Sequence, residues 1–157
     1  MSVLVRRFLV LAAFAYWQGG FTFYAAVVVP TGADVLGSSA EQARITRIVA
    51  ASMNLTGAIA LALFAWDVVF TRKLRRSRAA TVLVAVLLLL ALMVLRDHLD
   101  KMFHAADAYL DDRKSFRPWH RAYLWISTVQ WASCVTYLIL TIAAWRGDDH
   151  VCGANSN

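Results

Sequence analysis

Four stretches of this chain hold no charged residue: positions 8–29, 48–66, 79–95 and 122–145. A helix needs about 20 predominantly apolar residues, in a range near 17 to 25, to cross a hydrocarbon core of roughly 30 Å. All four stretches meet that requirement. None alternates apolar and polar residues as a membrane barrel strand must, so helices are the spanning structure that satisfies every backbone polar group in lipid. The sequence therefore predicts an all-α fold: one integral membrane four-helix bundle over residues 1–157, with spans at about 8–29, 48–70, 79–96 and 122–145.

Composition agrees, because 60% hydrophobic and 17% charged residues exclude disorder and argue against a water-soluble domain. A net charge of +6 raises nucleic acid as a partner, but the basic residues border apolar runs and no nucleic-acid motif accompanies them. The expected partner is the lipid bilayer, with a second copy of the chain or a larger membrane complex beside it. Arg72, Lys73, Arg75, Arg76 and Arg78 crowd the connection between the second and third spans, and a short loop this basic belongs on the cytoplasmic side. Arg6-Arg7 before the first span and Arg146 after the fourth agree, which puts both termini in the cytoplasm of a cell with this chain in its inner (plasma) membrane. Ala13-Phe14-Ala15 offers a signal-cleavage match, yet the run stays apolar to Val29 and reads as an uncleaved span ending at Pro30. Cys134 and Cys152 differ too much in depth to form a disulfide.

The fourth span carries a polar stripe. At about 100° per residue, His120, Ser127, Gln130, Cys134, Tyr137 and Thr141 share one face, which should look toward other helices. Counted at about 1.5 Å per residue from the outer helix ends, Thr22, Asn54, Ser127 and Gln130 lie roughly 9 to 14 Å deep and Gln18 near 18 Å. Uncompensated amides and hydroxyls in hydrocarbon cost several kcal/mol, so these groups should pair across helices, with Gly19, Gly20 and Gly57 allowing close approach. One reading of the layer is interhelical glue. The other is an outward-facing polar pocket. Cys134, Tyr137 and Thr141 find no comparable partners and read as packing. Asp67, inside the second span, is expected to pair with Arg72 or Arg146 at the membrane interface. Tyr16, Trp17, Tyr24, Trp66, Trp119, Trp125 and Trp145 read as interfacial belts.

The third span is Leu and Val with almost nothing polar, and is expected to be the most lipid-exposed. It runs without Pro or Gly into an amphipathic extension, where Asp97, Asp100, His104, Asp107 and Asp111 recur at spacings of three and four. Its acidic face suits a cap over the bundle mouth or a surface that attracts cations. Asp97, His98, Asp100, His104, Asp107 and His120 form an outer-face candidate site, for a divalent metal or, through His98, His104 and His120, a haem. A di-iron site is excluded by the single Glu of the chain, and a haem buried within the bundle by the absence of His from the spans. No cofactor is predicted. Nucleophilic catalysis lacks a His beside an inward Ser or Cys, except His120 one long step above Ser127.

The segments Trp17-Gln18-Gly19-Gly20-Phe21-Thr22-Phe23-Tyr24, with Val27-Val28-Val29-Pro30, and His120 through Trp131 resemble those of uncharacterised bacterial four-helix membrane proteins. More distantly the layout is similar to the transmembrane protein 205-like domain. The resemblance implies a four-span bundle and carries no catalysis. The expected function is a non-enzymatic accessory or binding component, the alternatives being a small oligomeric transporter or channel subunit and a metal- or haem-binding membrane protein.

Overall fold

A computed structural model describes residues 2–37, 39–106 and 113–154. They form four long helices, and no strand occurs among them. We label these α1 (Val3–Leu36), α2 (Ser39–Phe70), α3 (Arg75–Ala106) and α4 (Arg113–Ala154). Each is long and apolar enough to cross a membrane.

The helices outrun the uncharged stretches. Ser2 caps α1 by accepting a hydrogen bond from the Val5 amide at 3.3 Å. The helix does not stop at Pro30, contrary to expectation, and continues to Leu36, where Gly37 takes the left-handed conformation that closes it. Proline normally clashes with the carbonyl four residues earlier. Here the turn before it, Tyr24–Val28, is wound as π-helix, and this wider turn accommodates the ring. A second π segment, Ala15–Gly19, turns the adjacent Trp17 and Gln18 both inward. Helix α2 starts at Ser39, ahead of the uncharged span that begins at 48, with Glu41 in its first turn, as a helix start at Ser38 or Ser39 implies.

Only Thr71 to Leu74 connect α2 and α3. So tight a reversal puts Leu74 in the left-handed region at φ 53°, a strained place for a residue with a branched side chain. The core is built where Val10 and Trp17 of α1, Ala60, Leu61, Phe64 and Val68 of α2, Val82, Ala85 and Leu89 of α3, and Cys134, Tyr137 and Trp145 of α4 meet. The third span is not the most exposed. Val82, Ala85, Leu89, Leu92 and Leu95 of α3 are buried, whereas among the described residues of α1 only Val10, Trp17 and Gln18 are. Leu and Val serve lipid and helix contacts equally, so composition could not rank the two.

Both chain ends and the α2–α3 connection lie at one end of the bundle, as the contacts of Arg6 with Asp67 and of Arg7 with Asp149 show. At the opposite end, Tyr24 donates to Thr46 at 2.9 Å, Arg47 faces Asp100 at 3.6 Å, and the His98 and Trp119 rings meet edge-on at 4.8 Å.

Candidate functional site

Four helices converge on one carboxylate. Asp67 of α2 is wholly buried, and it pairs with neither Arg72 nor Arg146, both of which point outward. Its partners are Arg6 of α1, with Nε 3.0 Å from Oδ1, and Arg78 of α3, whose Nη2 donates to Oδ2. The hairpin explains the second pairing. Asp67 lies three residues before the end of α2 and Arg78 three residues after the start of α3, so an antiparallel reversal brings them level.

Arg78 is also completely buried. Its Nε donates to the Thr141 hydroxyl of α4 at 3.0 Å, and its Nη2 lies 3.5 Å from the Tyr137 oxygen. Tyr137 in turn donates to the Phe64 carbonyl at 3.2 Å and stacks on the Phe64 ring at a centroid distance of 4.5 Å. Thr71 completes the set by donating to Asp67 at 3.3 Å. The inner half of the α4 stripe is therefore not inert packing. Thr141 and Tyr137 contact Nε and Nη2 of a buried guanidinium, which costs less than leaving it bare, while Nη1 stays buried with no hydrogen-bond partner among the described residues.

Beside this cluster, Arg7 makes a two-pronged contact with Asp149, 2.8 and 2.9 Å, and donates to the Trp145 carbonyl at 3.3 Å. The hydrogen bonds that Arg7 donates to the Asp149 carboxylate raise its pKa above the usual guanidinium range, ahead of an opposing effect of burial. Trp145 sits 5.3 Å beneath that guanidinium and is buried, as is Trp17, so neither belongs to an interfacial belt.

The outer polar layer is assembled differently. Gln18, Asn54, Ser127 and Gln130 are buried, but Thr22 is exposed. Two contacts cross between helices: Trp131 of α4 donates to Thr22 at 3.2 Å, and Gln130 donates to the Ala85 carbonyl of α3 at 3.3 Å. Thr22 and Ser127 otherwise donate to carbonyls of their own helices, Gln18 and Tyr123, each at 2.8 Å. Asn54 keeps a buried Nδ2 with no hydrogen-bond partner among the described residues. Of the three glycines, Gly57 is in the closest contact, since a Cβ there would stand 2.6 Å from the Trp17 ring. Gly20 packs on Met53, while Gly19 faces open space. A shallow groove of about 300 Å³ between α1 and α4 is lined by Phe21, Thr22, Ala25, Ala26, Thr128 and Trp131.

On the outer face, Asp97 meets Lys101 at 2.6 Å, and Asp100 lies 3.6 Å from both Arg96 and Arg47. His98 packs on Trp119. His104 falls on the last helical turn of α3, while Asp107 and Asp111 lie outside the described residues. No group of three His, Cys, Asp or Glu arranged for a metal ion occurs among the described residues.

Arg6, Arg78, Thr71, Tyr137 and Thr141 are the site residues that sequence reading missed. The signal was present in the symmetry of Asp67 and Arg78 about a short loop; counting Arg78 among the loop cations concealed it. Compared with protein-family models, with curated proteins and with solved structures, the chain gives no match.

Proposed function

We propose that the chain is a non-enzymatic accessory or binding component of the inner membrane, crossing it four times with both termini and the Thr71–Leu74 connection in the cytoplasm. One observation carries the reading: the buried charged side chains are held by contacts between helices. Arg6, Asp67 and Arg78 bind α1, α2 and α3 together, and Thr141 and Tyr137 bring in α4. An arrangement that ties every helix to its neighbours favours a fixed scaffold over a moving path. Orientation is tested by labelling single cysteines in cells. Ser77→Cys should label only from the cytoplasm and Ser115→Cys from outside, and the reverse pattern overturns the orientation. The role is tested by complementing a deletion with the Gln18→Leu/Gln130→Leu double variant. Full complementation at normal abundance is expected; loss of function in a stable, abundant variant would overturn the scaffold reading.

A second reading, a subunit of a small oligomeric transporter, is favoured by the α1–α4 groove, which opens beside Thr22 at the level of the polar layer. That same double variant discriminates the two.

A further inference from the structure

At the basic end, a second pocket of about 160 Å³ opens between α1 and α2, lined by Ser2, Val3, Arg6, Trp66 and Phe70. Its charge is set by the buried cluster. Asp67 supplies one negative charge to two guanidiniums, so one positive charge is left over. Arg78 is sealed in the core. Arg6 retains about a seventh of its side-chain exposure and lines the pocket, which makes it the member through which that excess is presented. Its contact with Asp67 is through Nε, so the fork of terminal nitrogens is not used by that pair.

Three further features bear on what would enter. The first turn of α1 begins at Ser2, on the rim, and the amino end of a helix adds to positive potential. Arg72, Lys73, Arg75 and Arg76 stand exposed at the same end of the bundle. Val3 and Phe70 are exposed apolar residues on the rim, continuous with Leu4 and Val69, and Arg6 lies 5.9 Å from the Phe70 ring centroid. The pocket has room for about five waters at roughly 30 Å³ each, which suits a phosphate group and not an acyl chain.

We propose that this pocket holds the phosphate of an anionic phospholipid of the cytoplasmic leaflet, with Arg6 on the phosphate and the acyl chains outside the pocket, over the exposed rim formed by Val3, Leu4, Val69 and Phe70. The assignment rests on the membrane orientation proposed above. Arginine favours phosphate because its planar fork donates two parallel hydrogen bonds. The lipid would neutralise the charge that Asp67 leaves uncompensated and join the first turn of α1 to the end of α2.

Because Arg6 also holds Asp67, the pocket is best probed from its rim. Ser2→Asp keeps a good helix cap and places a negative charge beside the phosphate. The protein in detergent is titrated with phosphatidylglycerol, phosphatidylcholine or inorganic phosphate, with bound lipid read by native mass spectrometry and stability by thermal unfolding. Phosphatidylglycerol should bind at least tenfold more tightly than phosphatidylcholine and raise the unfolding temperature. Ser2→Asp should remove that preference, whereas Arg76→Gln should retain it. Equal binding of the two lipids overturns the proposal, as does an equal response to inorganic phosphate, which identifies a free-anion site. Equal losses in Ser2→Asp and Arg76→Gln overturn it in favour of diffuse attraction. Flotation with phosphatidylcholine vesicles checks the membrane reading separately: a chain that floats but shows no lipid preference refutes this inference alone.

Discussion

The buried cluster makes an asymmetric prediction about Asp67 and Arg78. Replacing Asp67 with Asn keeps the volume but strands two guanidiniums, one of them, Arg78, with no exposure through which to reach water. Removing one partner of a buried pair costs about 3 to 5 kcal/mol, because the remaining charge stays desolvated. Arg78→Met removes the charge with no outlet and leaves Asp67 with Arg6 at 3.0 Å. Its expected cost is smaller, about 1 to 3 kcal/mol, for the lost charged hydrogen bonds to Asp67 and Thr141. The double variant Asp67→Asn/Arg78→Met should then be no less stable than Asp67→Asn alone, a coupling that additive effects cannot produce. Equilibrium unfolding in mixed micelles with increasing dodecyl sulfate, followed by circular dichroism, measures all three. The reasoning is refuted if Arg78→Met is the more damaging single change, or if the two single effects add in the double variant.

Other consequences are simpler. Gly57→Ala should lower stability by about 1 to 3 kcal/mol, since the new methyl would lie 2.6 Å from the Trp17 ring, and Gly19→Ala should be tolerated because nothing lies within 4 Å; thermal unfolding compares them. Leu74→Gly should stabilise by about 0.5 to 1 kcal/mol, because glycine takes the left-handed conformation without strain, and a loss of stability would count against that strain. Purified protein should show no haem band and less than one bound divalent metal per chain by elemental analysis, since Asp97, Asp100 and His98 already face Lys101, Arg96 with Arg47, and Trp119.

The four helices were legible because a charge-free run of about 20 residues is a local property of the sequence. Their ends were not. Pro30 ends a helix under local rules, and only the π-helical turn before it lets α1 continue. Burial of Gln18, Asn54, Ser127 and Gln130 was legible from depth, since polar groups avoid lipid. Which atoms they bond was not, because carbonyls such as that of Ala85 leave no mark in the sequence. The ionic cluster lay between these cases. Asp67 was visible as the one charge within a span, but its partners depend on which side of α3 Arg78 faces and how α1 is rotated. Those are properties of packing, and a depth count along single helices does not contain them.

The cluster also gives the bundle a vertical scale. Charged contacts fall in two tiers, Arg6–Asp67–Arg78 at the end with the termini and Arg47–Asp100 at the other. On α2, Arg47 and Asp67 are separated by about 30 Å at 1.5 Å per residue, and on α3, Arg78 and Asp100 by about 33 Å. Helix α4 gives the same interval between Trp119, which touches His98, and Thr141, which touches Arg78. Three helices thus place their interhelical charges and polar contacts one hydrocarbon thickness apart. That spacing supports the spanning arrangement independently of hydropathy, because it arises from residues that hydropathy counts against a span. In a spanning bundle it would also explain how Asp67 and Arg78 are tolerated in full burial: each would lie near the edge of the apolar slab, where Asp67 meets partners from α1 and α3 and Arg78 meets partners from α2 and α4.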